Sequence, residues 1–291
     1  MAVINDIGII IVTYNPDLKD FQKNRDFLVC VDSDGCAIDT MDVKHEKAFC
    51  PCLIQVFGLQ EYADFITPYW MDVNLFSATR GVNRFKGMLM TFEALEKKGV
   101  EIPHLKEIAQ WVNNAKELSN PNLEAEIAAG NTALKKVLEW SFAVNKTIHE
   151  LPQDDKPFAG VEEGLKAAHL VADTAVVSSA NAGAIHSEWN RHGLAQYMDI
   201  MLGQEVGTKA ACIKELTQGR YEPTKVLMVG DALGDLDAAQ KNGVLFYPIL
   251  VGKEEESWKR LAEEALPKLL HGTYQGAYQE QLIREQRSIL K

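Results

Sequence analysis

Residues 27–35 read FLVCVDSDG, an apolar run that ends in two aspartates separated by one serine. A short apolar run bounded by turn residues is typical of a strand that is covered on both faces. Asp32 and Asp34 follow the carboxyl end of this predicted strand. In an open parallel sheet this is the edge where ligands bind, so the stretch predicts both the fold class and the position of a site.

Polar residues follow other predicted strands in the same way, and one predicted helix begins with a lysine. The residues concerned are Ser178 and Ser179 after the strand at 174–177, Lys209 at the start of a helix, and Asp231 and Asp235 after the strand at 226–229. Because the carboxyl ends of parallel strands meet at one edge of a sheet, we expect all of these side chains to share one site.

The pattern of apolar residues divides the chain into a helical stretch and an alternating one. Between about residues 45 and 170 apolar residues recur at helical spacing, as at Met88, Phe92 and Leu95. Beyond residue 170, predicted strands and helices alternate, which indicates parallel pairing. A structureless loop of roughly 125 residues is implausible in a compact domain. The sequence therefore predicts an α/β protein with a doubly wound, Rossmann-like parallel sheet and an inserted α-helical domain.

We predict three parts of the chain from this pattern. They are an N-terminal extension at 1–25, an α/β core at 26–44 and 171–291, and a helical cap at 45–170. Within the extension, Ile7–Tyr14 reads as a buried strand followed by a turn at 15–17. This strand resembles the opening strand of family-2 glycosyltransferases, but no later acidic metal motif of that family follows. The simpler interpretation is an extra strand or a loosely attached extension.

Composition and charge disfavour several classes of protein. With 30 basic and 41 acidic residues the net charge is −11, and phosphate backbones are held chiefly by Lys and Arg, so nucleic acid is not the expected partner. The apolar runs are too short to cross a bilayer, and no basic-then-apolar signal peptide opens the chain. Five cysteines without a CxxC pair argue against a disulfide framework and a cysteine zinc site. We therefore expect a cytoplasmic protein with no membrane partner.

Charge at the predicted site calls for a metal ion. Asp32, Asp34, Asp231 and Asp235 together carry −4, and Lys209 reduces this to −3. A phosphate dianion would be repelled from such a site until a divalent cation binds. Carboxylate oxygens and water are the ligands that Mg²⁺ prefers, so the residues predict Mg²⁺ as the cofactor.

Two motifs carry a resemblance to a known family. VCVDSDG at 29–35 and VGDALGDLDAA at 229–239 resemble the first and fourth motifs of the haloacid dehalogenase-like hydrolase superfamily. The order of DxDG, a strand ending in serine, a lysine and GDxxxD is also that of the superfamily, over about residues 26–50 and 170–250. The insert after the first motif matches the position of the family's helical cap, which closes over the site and selects the substrate.

The resemblance implies a role for each predicted site residue. Asp32 would be the nucleophile that forms an aspartyl-phosphate, and Asp34 would protonate the leaving alcohol and later activate water. The implied metal ligands are Asp32, the backbone carbonyl of Asp34, Asp231 and, directly or through water, Asp235. The implied phosphate ligands are Ser178, Ser179 and Lys209. The family commonly has threonine after DxDG where this chain has Cys36, which hydrogen-bonds only weakly.

The resemblance also favours phosphate-ester chemistry. Members that cleave carbon–halogen bonds lack an aspartate two places after the nucleophile, and here that position is Asp34. We expect a Mg²⁺-dependent phosphatase that acts on a small phosphorylated metabolite. A phosphomutase of the β-phosphoglucomutase type shares every core residue named above, so it stays open, as does a non-catalytic binding protein of the same fold. The oligomeric state is also open.

The predicted cap contains one basic cluster, RGVNRFK at 80–86. Its Arg80, Asn83 and Arg84 are candidate specificity residues, because arginine can bind a carboxylate or a second phosphate through two hydrogen bonds. The alternative interpretation is a solvated helix start with surface ion pairs.

Overall fold

A computed structural model describes residues 2–4, 10–12, 18, 21–152 and 154–290. The predicted fold class is confirmed, since five parallel strands form one sheet in the order β5-β4-β3-β6-β7. These strands are β3 (Leu28–Val31), β4 (Asp173–Val177), β5 (Ile200–Leu202), β6 (Val226–Gly230) and β7 (Leu245–Pro248). Helices fill the connections between the strands. None of the helices in these residues has the length and apolar character needed to cross a membrane.

The central strand β3 is buried on both faces of the sheet, which explains why the apolar run at 27–31 contains no polar residue. Val29 and Val31 pack into one apolar cluster, together with residues of the helix Val161–Val171 (α8). Leu28 and Cys30 pack into a second cluster on the other face of the sheet. A strand that is covered on both faces reads as a continuous apolar run, as β3 does.

The helices that complete this layered part of the molecule lie after β3 in sequence. They are α8, α9 (Ala182–Arg191), α10 (Lys209–Thr217), α11 (Leu233–Lys241), α12 (Glu254–Arg260), α13 (Leu266–Leu270) and α14 (Ala277–Ile289). The apolar side chains of α10 and α11 join the cluster that contains Cys30. Those of α8 and α12 join the cluster that contains Val31.

A helical segment is inserted between β3 and β4. Its helices are α1 (Met41–Lys44), α2 (Cys50–Phe57), α3 (Ala63–Met71), α4 (Arg84–Glu96), α5 (Leu105–Asn114), α6 (Asn120–Ala128) and α7 (Lys135–Glu150). They enclose their own apolar core, in which the largest side chains are Trp70, Trp111 and Trp140. A segment with a core of its own is the expected property of a separate domain.

The described part of the chain divides into two compact units. One comprises Met1–Thr40 and Asp155–Ile289, and the other comprises Met41–Asp154 and Leu290–Lys291. Helix α8, which the predicted boundary at residue 170 places in the cap, lies in the unit that contains the sheet. The reason is its packing, because Leu165 is buried among sheet residues and a side chain at Gly164 would collide with the ring of Trp258.

The apolar run at 245–251 predicts a strand that reaches Val251, whereas β7 ends at Pro248. The chain then turns, and the N–H of Lys253 donates to the carbonyl of Leu250 at 2.9 Å. Within the predicted strand Ile7–Tyr14, only Ile10–Val12 (β2) is described, and it pairs antiparallel with Ala2–Ile4 (β1). The rest of that predicted strand and the turn at 15–17 lie outside the described residues.

Candidate active site

Asp32 is the first residue after β3, and the backbone holds it in a buried position. Its N–H donates to the carbonyl of Val229 on the neighbouring strand β6, at 3.0 Å. Its carboxylate oxygen Oδ1 accepts from the N–H of Ser33, at 2.7 Å. Only 5% of Asp32 is exposed. The end of the central strand thus fixes one carboxylate and leaves its second oxygen, Oδ2, to other partners.

The segment that follows β6, a short loop and the start of α11, supplies two more carboxylates. Asp231 and Asp235 are both buried, and Oδ2 of Asp235 accepts from the N–H of Ala232 at 3.0 Å. Asp235 lies in the first turn of α11, where a negative charge is favourable. A side chain at Gly230 would overlap the carboxyl group of Asp235, so only glycine fits there. The GDxxxD pattern is therefore a packing requirement as well as a source of charge.

Lys209 forms ion pairs with Asp32 after β3 and with Asp235 on α11. It is the first residue of α10, and the Thr208 side chain caps this helix by accepting from the N–H of Ala211. The lysine Nζ lies 2.5 Å from Oδ2 of Asp32 and 2.5 Å from Oδ1 of Asp235. Sequence analysis predicted that these residues share one site, and the geometry brings them together.

Three of these carboxylates form a group that fits a metal ion. Asp32, Asp231 and Asp235 each offer one oxygen, and the three oxygens lie within 4.8 Å of one another. Burial raises the pKa of Asp32 to about 8, Lys209 opposes this shift, and the charges of Asp235 and Asp231 add to it. Buried like charges are costly unless a cation compensates them. An all-oxygen donor set of this kind suits Mg²⁺.

Asp34 stands apart from the three clustered carboxylates. It is half-buried, and its Oδ1 accepts a hydrogen bond from the hydroxyl of Thr40. Its backbone carbonyl, which the resemblance implies as a metal ligand, stays a prediction in that role. A half-buried carboxylate that is oriented by a hydroxyl suits an acid or base.

The predicted phosphate ligands follow β4, which neighbours β3 in the sheet. Ser178 is buried, its N–H donates to the carbonyl of Leu202 at 3.0 Å, and its hydroxyl accepts from the N–H of Ala180 at 3.1 Å. Ser179 is exposed. Phosphate binding by these two serines stays a prediction.

Comparison with known proteins decides the family. A family model described as haloacid dehalogenase-like hydrolase matches residues 82–249, more than half of the chain. The chain belongs to the haloacid dehalogenase-like hydrolases. A comparison with the curated proteins gives no match.

Several solved structures resemble this family member at low sequence identity. A predicted phosphoglycolate phosphatase of Haemophilus somnus is 16% identical, with 76% of this chain and 84% of that chain covered and a TM-score of 0.47. A haloacid dehalogenase-like family hydrolase of Streptococcus pneumoniae is 14% identical, with 82% and 91% covered and a TM-score of 0.41. The L-2-haloacid dehalogenase of Xanthobacter autotrophicus is 14% identical, with 87% and 85% covered and a TM-score of 0.37.

The three specificity candidates occupy different positions in the helical unit of this hydrolase. Arg80 is buried and its guanidinium donates to the carbonyl of Leu75 at 2.8 Å. Asn83 caps α4, since its side chain accepts from the N–H of Phe85 at 3.0 Å. These contacts indicate a structural role for both Arg80 and Asn83.

Arg84, the third candidate, contacts two neutral polar side chains and an aromatic ring. Its Nη1 donates to Oδ1 of Asn145 at 2.7 Å and lies 3.5 Å from the hydroxyl of Ser141. Its guanidinium lies over the ring of Phe49, 5.0 Å from the centroid. Burial lowers the pKa of Arg84 to about 10. No carboxylate of the described residues pairs with this cation.

Sequence reasoning missed several residues that shape the site of this hydrolase. Trp189 donates from its indole to the hydroxyl of Ser33 at 2.8 Å, and Thr40 contacts Asp34. Gln286 donates to the backbone carbonyl of Asp231 at 3.1 Å. None of the three belongs to a motif, so no pattern in the sequence marks them.

Proposed function

We propose that this hydrolase is a Mg²⁺-dependent phosphatase that cleaves a small phosphorylated metabolite through an aspartyl-phosphate intermediate. The observation that carries the proposal is the group of three buried carboxylates with Lys209 bound to two of them. A structural role makes no use of buried like charges, because they lower the stability of the fold. A site that receives a divalent cation and then a phosphate dianion does use them.

The first chemical step would use Asp32. One of its carboxylate oxygens attacks phosphorus, an aspartyl-phosphate bond forms, and the ester P–O bond breaks. The leaving alcohol takes a proton from Asp34, which is oriented for this by Thr40. Lys209 holds Asp32 at 2.5 Å and offsets the negative charge that arrives with the phosphate. When bound, Mg²⁺ supplies further electrostatic stabilisation of the phosphoryl oxygens.

The second step returns the enzyme to its starting state. Asp34, now ionised, accepts a proton from water, the water oxygen attacks phosphorus, and the bond to Asp32 breaks. Inorganic phosphate leaves, and Asp34 is protonated again for the next cycle. Splitting the hydrolysis in this way replaces one difficult displacement by two easier ones.

Hydrolysis of an aryl phosphate, with Mg²⁺ and with excess chelator, tests this proposal. We expect the wild-type protein to release phosphate only with Mg²⁺, and Asp32→Asn to lose at least about 10³-fold in rate. Asp237→Asn is the matched control, because Asp237 lies on α11 two residues after Asp235 but is exposed and pairs with Lys241. Equal activity of Asp32→Asn and wild type would refute the nucleophile assignment.

The same protein incubated with sugar phosphates separates the phosphatase from the phosphomutase. A phosphatase yields free phosphate and the unphosphorylated sugar. Accumulation of an isomeric sugar phosphate without free phosphate would show the phosphomutase instead. Absence of both products across a broad set of phosphorylated metabolites, and with the aryl phosphate, would favour the non-catalytic binding protein.

Of the three specificity candidates, we retain Arg84 as the one to test for binding of an anionic group. Its Nε and Nη2 have no hydrogen-bond partner among the described residues, so these two groups are able to donate to a carboxylate or phosphate. Arg84→Met should raise KM for the best natural substrate and leave kcat nearly unchanged. Unchanged KM would remove Arg84 from the substrate-binding residues.

A further inference from the structure

The last helix, α14, carries two glutamines that bond to the backbone of the sheet unit. The side-chain oxygen of Gln279 accepts from the N–H of Phe246 on the edge strand β7, at 2.9 Å. The side-chain nitrogen of Gln286 donates to the carbonyl of Asp231 at 3.1 Å. One glutamine thus covers a free strand edge, and the other reaches the loop that supplies a predicted metal ligand.

Gln286 is an unusual choice for its position if stability alone is considered. Only 1% of the residue is exposed, and its Oε1 has no hydrogen-bond partner among the described residues. A buried acceptor without a partner lowers stability, and an apolar side chain of the same length would avoid that cost. The donated bond to Asp231 is the one polar contact of this amide in the structure described.

The bond from Gln286 fixes a peptide plane that a second contact also holds. The peptide group between Asp231 and Ala232 has its carbonyl bound by Gln286 and its N–H bound by Oδ2 of Asp235. Two bonds on opposite sides of one planar unit restrict its rotation. The direction in which the Asp231 side chain leaves the backbone depends on that plane.

We infer that Gln286 is a positioning residue that holds Asp231 in the orientation required for binding the metal ion. This inference rests on the proposed Mg²⁺ site. Groups that orient metal ligands without touching the metal contribute to affinity, and their loss typically weakens binding by about 10- to 100-fold. The C-terminal helix is therefore part of the metal site although no motif of the family lies on it.

Calorimetric titration of Mg²⁺ into the 291-residue protein tests the inference without relying on activity. We expect Gln286→Met to keep the length of the side chain, lose the donated bond, and raise the Mg²⁺ dissociation constant by about 10-fold or more. Gln279→Met is the matched control on the same helix, because its lost bond goes to β7. It should lower thermal stability while leaving Mg²⁺ affinity within about twofold of wild type.

A second variant covers the case in which Gln286→Met fails to fold. Gln286→Asn keeps a buried amide but is one methylene too short to reach the Asp231 carbonyl, so it should weaken Mg²⁺ binding similarly. If a folded Gln286 variant binds Mg²⁺ as tightly as wild type, the inference is wrong while the proposed function stands. If the wild-type protein binds no Mg²⁺, the proposed function fails as well, so the two failures are distinguishable.

Discussion

The sequence of this hydrolase contains two clusters of like charges, the aspartates that follow β3 and β6 and the basic residues at 80–86. The contacts that the two clusters make in the structure differ. Asp32, Asp231 and Asp235 lie close together, and within the described residues Lys209 is the one oppositely charged group that pairs with Asp32 and Asp235. In the basic cluster at 80–86, by contrast, Arg80 bonds to a backbone carbonyl and Asn83 caps a helix. Crowded like charges indicate a ligand, whereas charges satisfied by nearby backbone indicate a structural role.

The largest effect should come from removing the cation at the converging site. Lys209→Met leaves Asp32 and Asp235 without their shared partner, and breaking a buried ion pair costs about 3–5 kcal/mol. We expect a value near the lower end, because Asp32 can take up a proton. The rate of hydrolysis should fall by at least about 100-fold.

Lys86→Met is the corresponding change in the basic cluster, where the lysine is exposed. Its free energy of unfolding in urea should stay within about 0.5 kcal/mol of wild type. If the two substitutions cost the same, the contrast between the regions is wrong.

A smaller effect is expected when a structural cation of the basic cluster is removed. Arg80→Met deletes the hydrogen bond from the guanidinium to the Leu75 carbonyl, and hydrogen bonds from charged donors contribute about 1.5–3 kcal/mol. Chemical denaturation should therefore show a loss of about 2 kcal/mol. An unchanged unfolding midpoint would mean that the buried contact contributes nothing to stability, and Arg80 would return to the specificity candidates.

Two helix caps, one in each region, can be removed at the same expected cost in stability, so that their effects on activity can be compared. Asn83 caps α4, and Thr208 caps α10, the helix that begins with Lys209. Replacing either cap by alanine should cost about 1 kcal/mol. Only Thr208→Ala should also lower kcat, by about 10-fold, because it loosens the turn that presents Lys209. A fall in kcat of the same size in Asn83→Ala would contradict the distinction between the regions.

The smallest expected effect on the free energy of unfolding comes from the contacts of Asp155 with Arg191 and His192, which lie outside both regions. Burial opposes ionisation of Asp155, but hydrogen bonds from His192 and Arg191 outweigh it and hold the pKa of this carboxyl below its usual range. A depressed pKa stabilises the folded state above the unfolded-state pKa of about 4, and the contribution is lost as pH falls through the folded-state value.

Asp155→Asn should therefore reduce the free energy of unfolding at pH 7 by at most about 1 kcal/mol, since Arg191 is partly exposed. The difference from wild type should shrink in urea titrations below about pH 4. A difference that grows on acidification has the wrong sign for this pair.

Local patterns in the sequence were enough to predict the fold class and to propose most of the candidate site. Asp32, Lys209, Asp231 and Asp235 each lie next to the end of an apolar run or the start of a helix, so local pattern places them at one sheet edge. The strand order and the packing of α8 against the sheet depend on contacts between distant residues, which periodicity does not report.

The residues that support the site escaped prediction for the same reason. Trp189 and Ser33 are 156 residues apart in sequence, and Gln286 and Asp231 are 55 apart. A buried glutamine on an amphipathic helix has no distinguishing pattern of neighbours. Such contacts are visible only once the tertiary structure brings the elements together.

Mg²⁺ titration of wild type and Asp231→Asn by calorimetry tests the central claim most directly. Asp231 is buried and contributes one of the three oxygens that lie within 4.8 Å of one another. We expect one Mg²⁺ per wild-type chain, and binding weakened at least about 10-fold in the variant, which loses a charged ligand. A wild-type protein that binds no Mg²⁺, or a variant that binds it equally well, would contradict the account.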